Sequence, residues 1–168
     1  MKDKNIKRKG WGTVLHILII ISFVVYLAAL LYFTIGKSSA VMINGEYRRL
    51  NLVPFKTIST YMTLLSAGRQ GVAVLNLVGN IILFMPMAVY LPYFFKFLRK
   101  FWKDMIAVLV LIILIEIVEY VTGRGSLDID DVILNLIGGV IGYGIWKLKF
   151  VQHIVNAMAA PEEPAAIE

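Results

Sequence analysis

Glu116, Glu119, Asp128, Asp130 and Asp131 place five carboxylates close together in a chain that is otherwise oily. Three carboxamides, Asn76, Asn80 and Asn135, and the guanidinium of Arg124 stand in or beside the same apolar runs. Oxygens gathered this way can engage a cationic ligand, hold a hard divalent ion such as magnesium or calcium, or supply a general base. Ionisable groups at the mouth of a hydrocarbon layer are expensive, so function is the default reading for them. Blander roles compete with it. Asp128, Asp130 and Asp131 precede an apolar run and suit a helix N-terminus, where carboxylates accept free amide hydrogens. Three acids in four residues nonetheless exceed what one cap needs. Asn76, Asn80 and Asn135 suit hydrogen bonds between helices. Glu116 and Glu119 need a proton, the Arg124 charge or a watery cavity.

The elements that must position these groups are membrane-length helices. Apolar residues make up 59% of the 168 residues and mean hydropathy is +0.77, well above the roughly 45–50% apolar content of soluble domains. A span needs about 20 residues, and four runs approach that: about 13–34, 72–91, 104–121 and 132–146. The expected fold is all-α, a four-transmembrane-helix bundle within residues 13–150. A basic segment, 1–12, precedes it, and a largely disordered tail, 151–168, follows. Trp11, Trp102 and Trp146 fall at span ends, as an interfacial aromatic belt requires. The chain has no cysteine, which excludes disulfides and thiolate metal sites. His16 and His153 have no ligand partner at useful spacing.

Charge asymmetry orients the bundle. With both termini cytoplasmic, eleven lysines and arginines lie inside and six outside, five of those on one long loop. The first apolar run is about twice the length of a signal-peptide core, which favours an uncleaved helix. In this topology Asn76 and Asn80 share a face of the outer half of the second span. Glu116 and Glu119 close the third span at the same side, and Asn135 lies one turn into the fourth. The polar residues of three spans therefore converge at the outer leaflet.

Other features bear on packing. Gly138 and Gly142 form a Gly-x-x-x-Gly pair beside Gly139, which lets helix backbones approach closely, and Pro86 should kink the second span. The loop from Gly36 to Gly71 contains a hairpin signal at Asn44-Gly45. After Pro54, Phe55, Ile58, Tyr61, Met62 and Leu65 recur at helical spacing, which predicts an interfacial helix with Phe55 and Tyr61 in lipid. Arg48 and Arg49 on this loop are candidate phosphate contacts.

Four ordered motifs carry a resemblance: Asn51-Leu52-Val53-Pro54-Phe55; Asn76-x-x-Gly79-Asn80-x-x-x-Phe84-x-Pro86; Glu116; and Gly123-Arg124-x-x-x-Asp128-x-Asp130-Asp131-x-x-x-Asn135-x-x-Gly138. Over residues 20 to 148 the chain resembles the VanZ-like family. The family usually has glutamine three residues after the glutamate, where this chain has Glu119. The resemblance implies a small bacterial plasma-membrane protein, and the name-giving member is linked to low-level teicoplanin resistance. It carries no biochemical activity with it.

Three functions remain open. In the first, an acidic outer-leaflet cleft binds a lipophilic cationic glycopeptide or a lipid-linked cell-wall precursor, whose pyrophosphate Arg48, Arg49 and Arg124 could meet. In the second, a membrane-embedded enzyme acts on a lipid-linked phosphate, with a divalent cation at the acids as the one candidate cofactor. In the third, the chain is a small transporter or an accessory subunit of a cell-wall complex. That last reading requires polar groups in the inner half of the bundle, and few are evident in the sequence. Membrane lipids are expected partners and nucleic acid is not.

Overall fold

The computed structural model describes residues 2–36, 50–68, 70–123 and 125–158. Helix α1, Lys2–Leu31, ends in a π-helical turn, Tyr32–Gly36. A short strand β1, Leu50–Asn51, leads into helix α2, Lys56–Ser66. Helices α3, Gln70–Phe84, and α4, Met87–Phe94, form one span broken at Pro86. A 3-10 turn, Lys96–Arg99, connects to α5, Phe101–Thr122. Strand β2, Leu127–Asp128, precedes α6, Ile129–Trp146, and α7, Lys149–Met158, follows it. The structure is all-α apart from the two bridging pairs, and four helices are long and apolar enough to cross a membrane: Trp11–Thr34, Ala73–Phe94, Phe101–Thr122 and Ile129–Trp146.

The span α6 sits at the centre and packs against α3, α4 and α5. Its glycines explain how. A side-chain carbon at Gly138 would collide with the Ile81 carbonyl, and one at Gly142 with the Met85 carbonyl. A side-chain carbon at Gly139 would lie 2.9 Å from Val108 on α5. Helix backbones touch because α6 carries no side chains there. The break at Pro86 is covered by α1, whose Tyr26 hydroxyl donates to the Leu83 carbonyl at 2.9 Å. Such interhelical hydrogen bonds average only about 0.6 kcal/mol in lipid, so the backbone contacts at Gly138 and Gly142 decide the packing. Phe84, Met87, Ala88, Leu91, Val108, Ile112, Tyr143 and Trp146 fill the core around them.

Helix α5 presents one buried stripe at four-residue spacing: Asp104, Val108, Ile112 and Glu116. Its ends are acidic and its middle is branched aliphatic. Residues 151–158 lie on the helix α7. Val151 and Val155 pack onto the core while Lys149 and His153 stay exposed, so an apolar face orders this segment. The Asn44-Gly45 turn lies outside the described residues, as do Arg48, Arg49 and Arg124.

Candidate functional site

The acids gather where three elements meet: the end of α5, the start of α6 and the loop entering α2. The parallel bridge between β1 and β2 fixes the register, pairing Leu50 with Leu127 and Asn51 with Asp128. Asp128 is the N-cap of α6 and its Oδ1 accepts the Asp130 amide at 2.9 Å. The same carboxylate accepts Asn51 Nδ2 at 3.0 Å and the Thr57 hydroxyl at 2.5 Å. Asn51 Nδ2 also donates to Thr57 Oγ1 at 3.0 Å, which closes a triangle of side chains. Both Asp128 oxygens are therefore occupied.

Asp130 is 0% exposed and caps a helix other than its own. Its Oδ1 accepts the Phe55 amide at 2.6 Å. Its Oδ2 accepts the amides of Thr57 at 2.7 Å and Ile58 at 3.1 Å. These are the free donors at the start of α2, where a carboxylate also meets the positive end of the helix dipole. The arrangement holds Phe55 at φ 65°, a left-handed conformation that an aromatic residue rarely adopts.

The remaining polar groups keep free valences. Asp131 Oδ1 accepts Asn80 Nδ2 at 2.6 Å, and its Oδ2 has no partner among the described residues. Glu116 is buried, and its Oε2 accepts the Asp128 amide over a long 3.4 Å. Glu119 is half-buried, with no side-chain hydrogen bond to a described residue. Gly125 lies against it, and any side chain there would strike the Glu119 carboxylate. Asn135 is 5% exposed and its Oδ1 has no partner. Glu116 lies within electrostatic reach of Asp131, Glu119 and Asp128. Asn76 is half-buried on α3, one turn from Asn80, with no hydrogen bond to a described residue.

The VanZ/LLP1 family profile covers residues 23–151. The chain belongs to the VanZ/LLP1 family. Among its relatives is Protein VanZ of Enterococcus faecium, 30% identical over 130 residues that span 76% of this chain and 70% of that protein. No solved structure matches the chain.

The VanZ-like motifs now separate by role. Asn51, Asp128 and Asp130 bind loop to helix, while Asn80 and Asp131 bridge α3 to α6. Gly138 allows the close contact below them. Asn51 and Thr57 did not figure among the site residues read from sequence, although Asn51 opens the first motif quoted there. Tyr61 is a second difference. It is half-buried beside Asp128 and Asp131, because α2 turns Thr57, Ile58, Tyr61, Leu64 and Leu65 inward and leaves Met62 exposed. Burial and the Asp131 and Asp128 charges push its phenol above the usual tyrosine range. Among the described residues no three acids or histidines converge well enough to hold a metal ion. Asp128 and Asp130 spend their oxygens on protein donors.

Proposed function

We propose that this VanZ-like protein acts at the outer leaflet of the bacterial plasma membrane in glycopeptide or cell-envelope resistance. It does so by binding an amphiphile that carries an ammonium group. Both termini are cytoplasmic in this reading, following the excess of lysine and arginine on that side. The carrying observation is the division among the acids. Asp128 and Asp130 are saturated, whereas Glu116, Glu119 and Asp131 retain oxygens without donors among the described residues. In a low-dielectric setting such oxygens attract a cation strongly, and a ligand ammonium supplies both charge and hydrogen bonds. Exposed Leu52, Val53, Phe55 and Met62 sit on the loop and helix beside the acids and suit the acyl part of the same ligand.

Teicoplanin and a lipid-linked cell-wall precursor both have this amphiphilic chemistry. The family link to teicoplanin favours testing the drug first. A deletion strain complemented with Glu116→Gln or Asp131→Asn should lose protection while the protein accumulates normally. Full protection by both variants would refute the reading. Protection lost against teicoplanin but retained under other cell-wall stress assigns the drug as ligand, and the reverse assigns the precursor.

A further inference from the structure

Asp104 is 0% exposed, and neither of its carboxylate oxygens has a hydrogen-bond partner. It lies in the first turn of α5, at the end of the bundle opposite Glu116. The helix dipole favours a negative charge there, yet no amide at that end donates to it. The basic residues at this end of the bundle make other contacts. Lys103 Nζ sits 5.4 Å from the Trp102 ring and Lys147 Nζ 5.4 Å from the Tyr143 ring. The Arg99 guanidinium lies 5.9 Å from the Trp146 ring, and its Nε donates to the Pro92 carbonyl at 3.3 Å. Tyr143 donates its hydroxyl to the Arg99 carbonyl at 2.8 Å, and Lys100 is exposed. A charged carboxylate buried without a partner is costly, and taking up a proton removes that cost.

Asp104 is not isolated along the helix. Asp104, Val108, Ile112 and Glu116 form the one buried stripe of α5. Helix geometry puts the two acids about 18 Å apart along the axis, at roughly 1.5 Å per residue. Val108 packs onto Gly139 of α6, and the antiparallel register then brings Asn135 level with Ile112. Asn135 Oδ1 is the other described buried side-chain oxygen lacking a partner. Three under-satisfied polar groups therefore mark one seam from end to end, interrupted by the Val108–Gly139 contact.

We infer that the α5–α6 seam is a proton pathway across the bundle, with Glu116 and Asp104 as its terminal acceptors. A proton entering from the outer end forms an O–H bond on Glu116. When α5 and α6 part at Val108 and Gly139, water entering the seam relays it past Asn135 to Asp104. Asp104 releases it at the other face, and both carboxyl groups return to their starting state. One proton crosses per cycle and no bond in the protein changes otherwise. The proposal goes beyond ligand binding at the outer site and does not depend on it.

Purified full-length protein in liposomes containing a pH-sensitive dye, under a potassium diffusion potential, tests it. Wild-type protein should acidify the lumen at least ten times faster than protein-free liposomes. Asp104→Asn should remove that acceleration, and Asp104→Glu should restore part of it. If Asp104→Asn does not fold, Asn135→Ala, which removes the middle group, should cut the rate instead. A wild-type rate equal to protein-free liposomes, or a rate unchanged in the folded variant, would overturn the proposal. Ligand binding measured on the same Asp104→Asn sample should be unaltered, so failure here is distinguishable from failure of the outer-site reading.

Discussion

Asp130 accepts the backbone amide of Thr57 at 2.7 Å across 73 residues of sequence. That bond, with those to Phe55 and Ile58, makes a residue of one helix the N-cap of another. Helix α2 thereby holds its place against the acidic cluster.

Removing this cap should destabilise the protein without altering the free acids. Hydrogen bonds to a charged group contribute about 1.5–3 kcal/mol each, so Asp130→Ala should cost at least about 3 kcal/mol. Unfolding in detergent measured by circular dichroism checks this. Asp130→Asn, which keeps one acceptor, should lose less.

Phe55 should show the opposite sign. Its φ of 65° is strained for a side chain bearing a Cβ, and strain of this kind costs of order 1–3 kcal/mol. Phe55→Gly should relieve it and raise the midpoint of unfolding. In an Asp130→Ala background the gain should shrink, because without the cap the loop is free to relax. Equal gains in both backgrounds would show that Asp130 does not impose the conformation.

The glycines of α6 divide by what faces them. Gly138→Leu and Gly142→Leu should prevent folding, because backbone carbonyls occupy the space a side chain needs. Gly79→Ala and Gly144→Ala meet open space and should leave detergent stability nearly unchanged. Fluorescence-detected size exclusion of the four variants separates the two groups.

Tyr61 supplies a pH prediction. Burial, followed by the Asp131 and Asp128 charges, raises its phenol above the usual value near 10. A raised value means that the folded state holds the proton longer than the unfolded state. Stability is therefore full below about pH 10 and falls as pH rises through the folded value. Tyr61→Phe should flatten that alkaline loss, and its tyrosinate absorbance should show one fewer late-titrating phenol than wild type.

Much of this was legible in the sequence, for reasons that differ by residue. Hydropathy and length reveal the four spans because lipid demands them, and the convergence of Asn80, Glu116 and Asp131 follows from topology alone. Asp128 as an N-cap is a local signal. The capping of α2 by Asp130 is not, since it depends on a register between two segments that only the β1–β2 bridge sets. Tyr61 was read as lipid-facing because helical spacing gives a stripe but not the direction in which it points. Asp104 did not figure among the site residues read from sequence, and only packing shows that it is buried.

The central claim is that Glu116 and Asp131 bind ligand whereas Asp130 holds the fold. Binding of a fluorescent teicoplanin derivative to purified protein in lipid nanodiscs tests it most directly. Glu116→Gln and Asp131→Asn should lose at least about tenfold in affinity, equivalent to about 1.4 kcal/mol, with wild-type thermal stability. Asp130→Asn should bind normally at temperatures where it remains folded. Unchanged affinity in both cleft variants, or affinity lost only where stability is lost, would contradict the account.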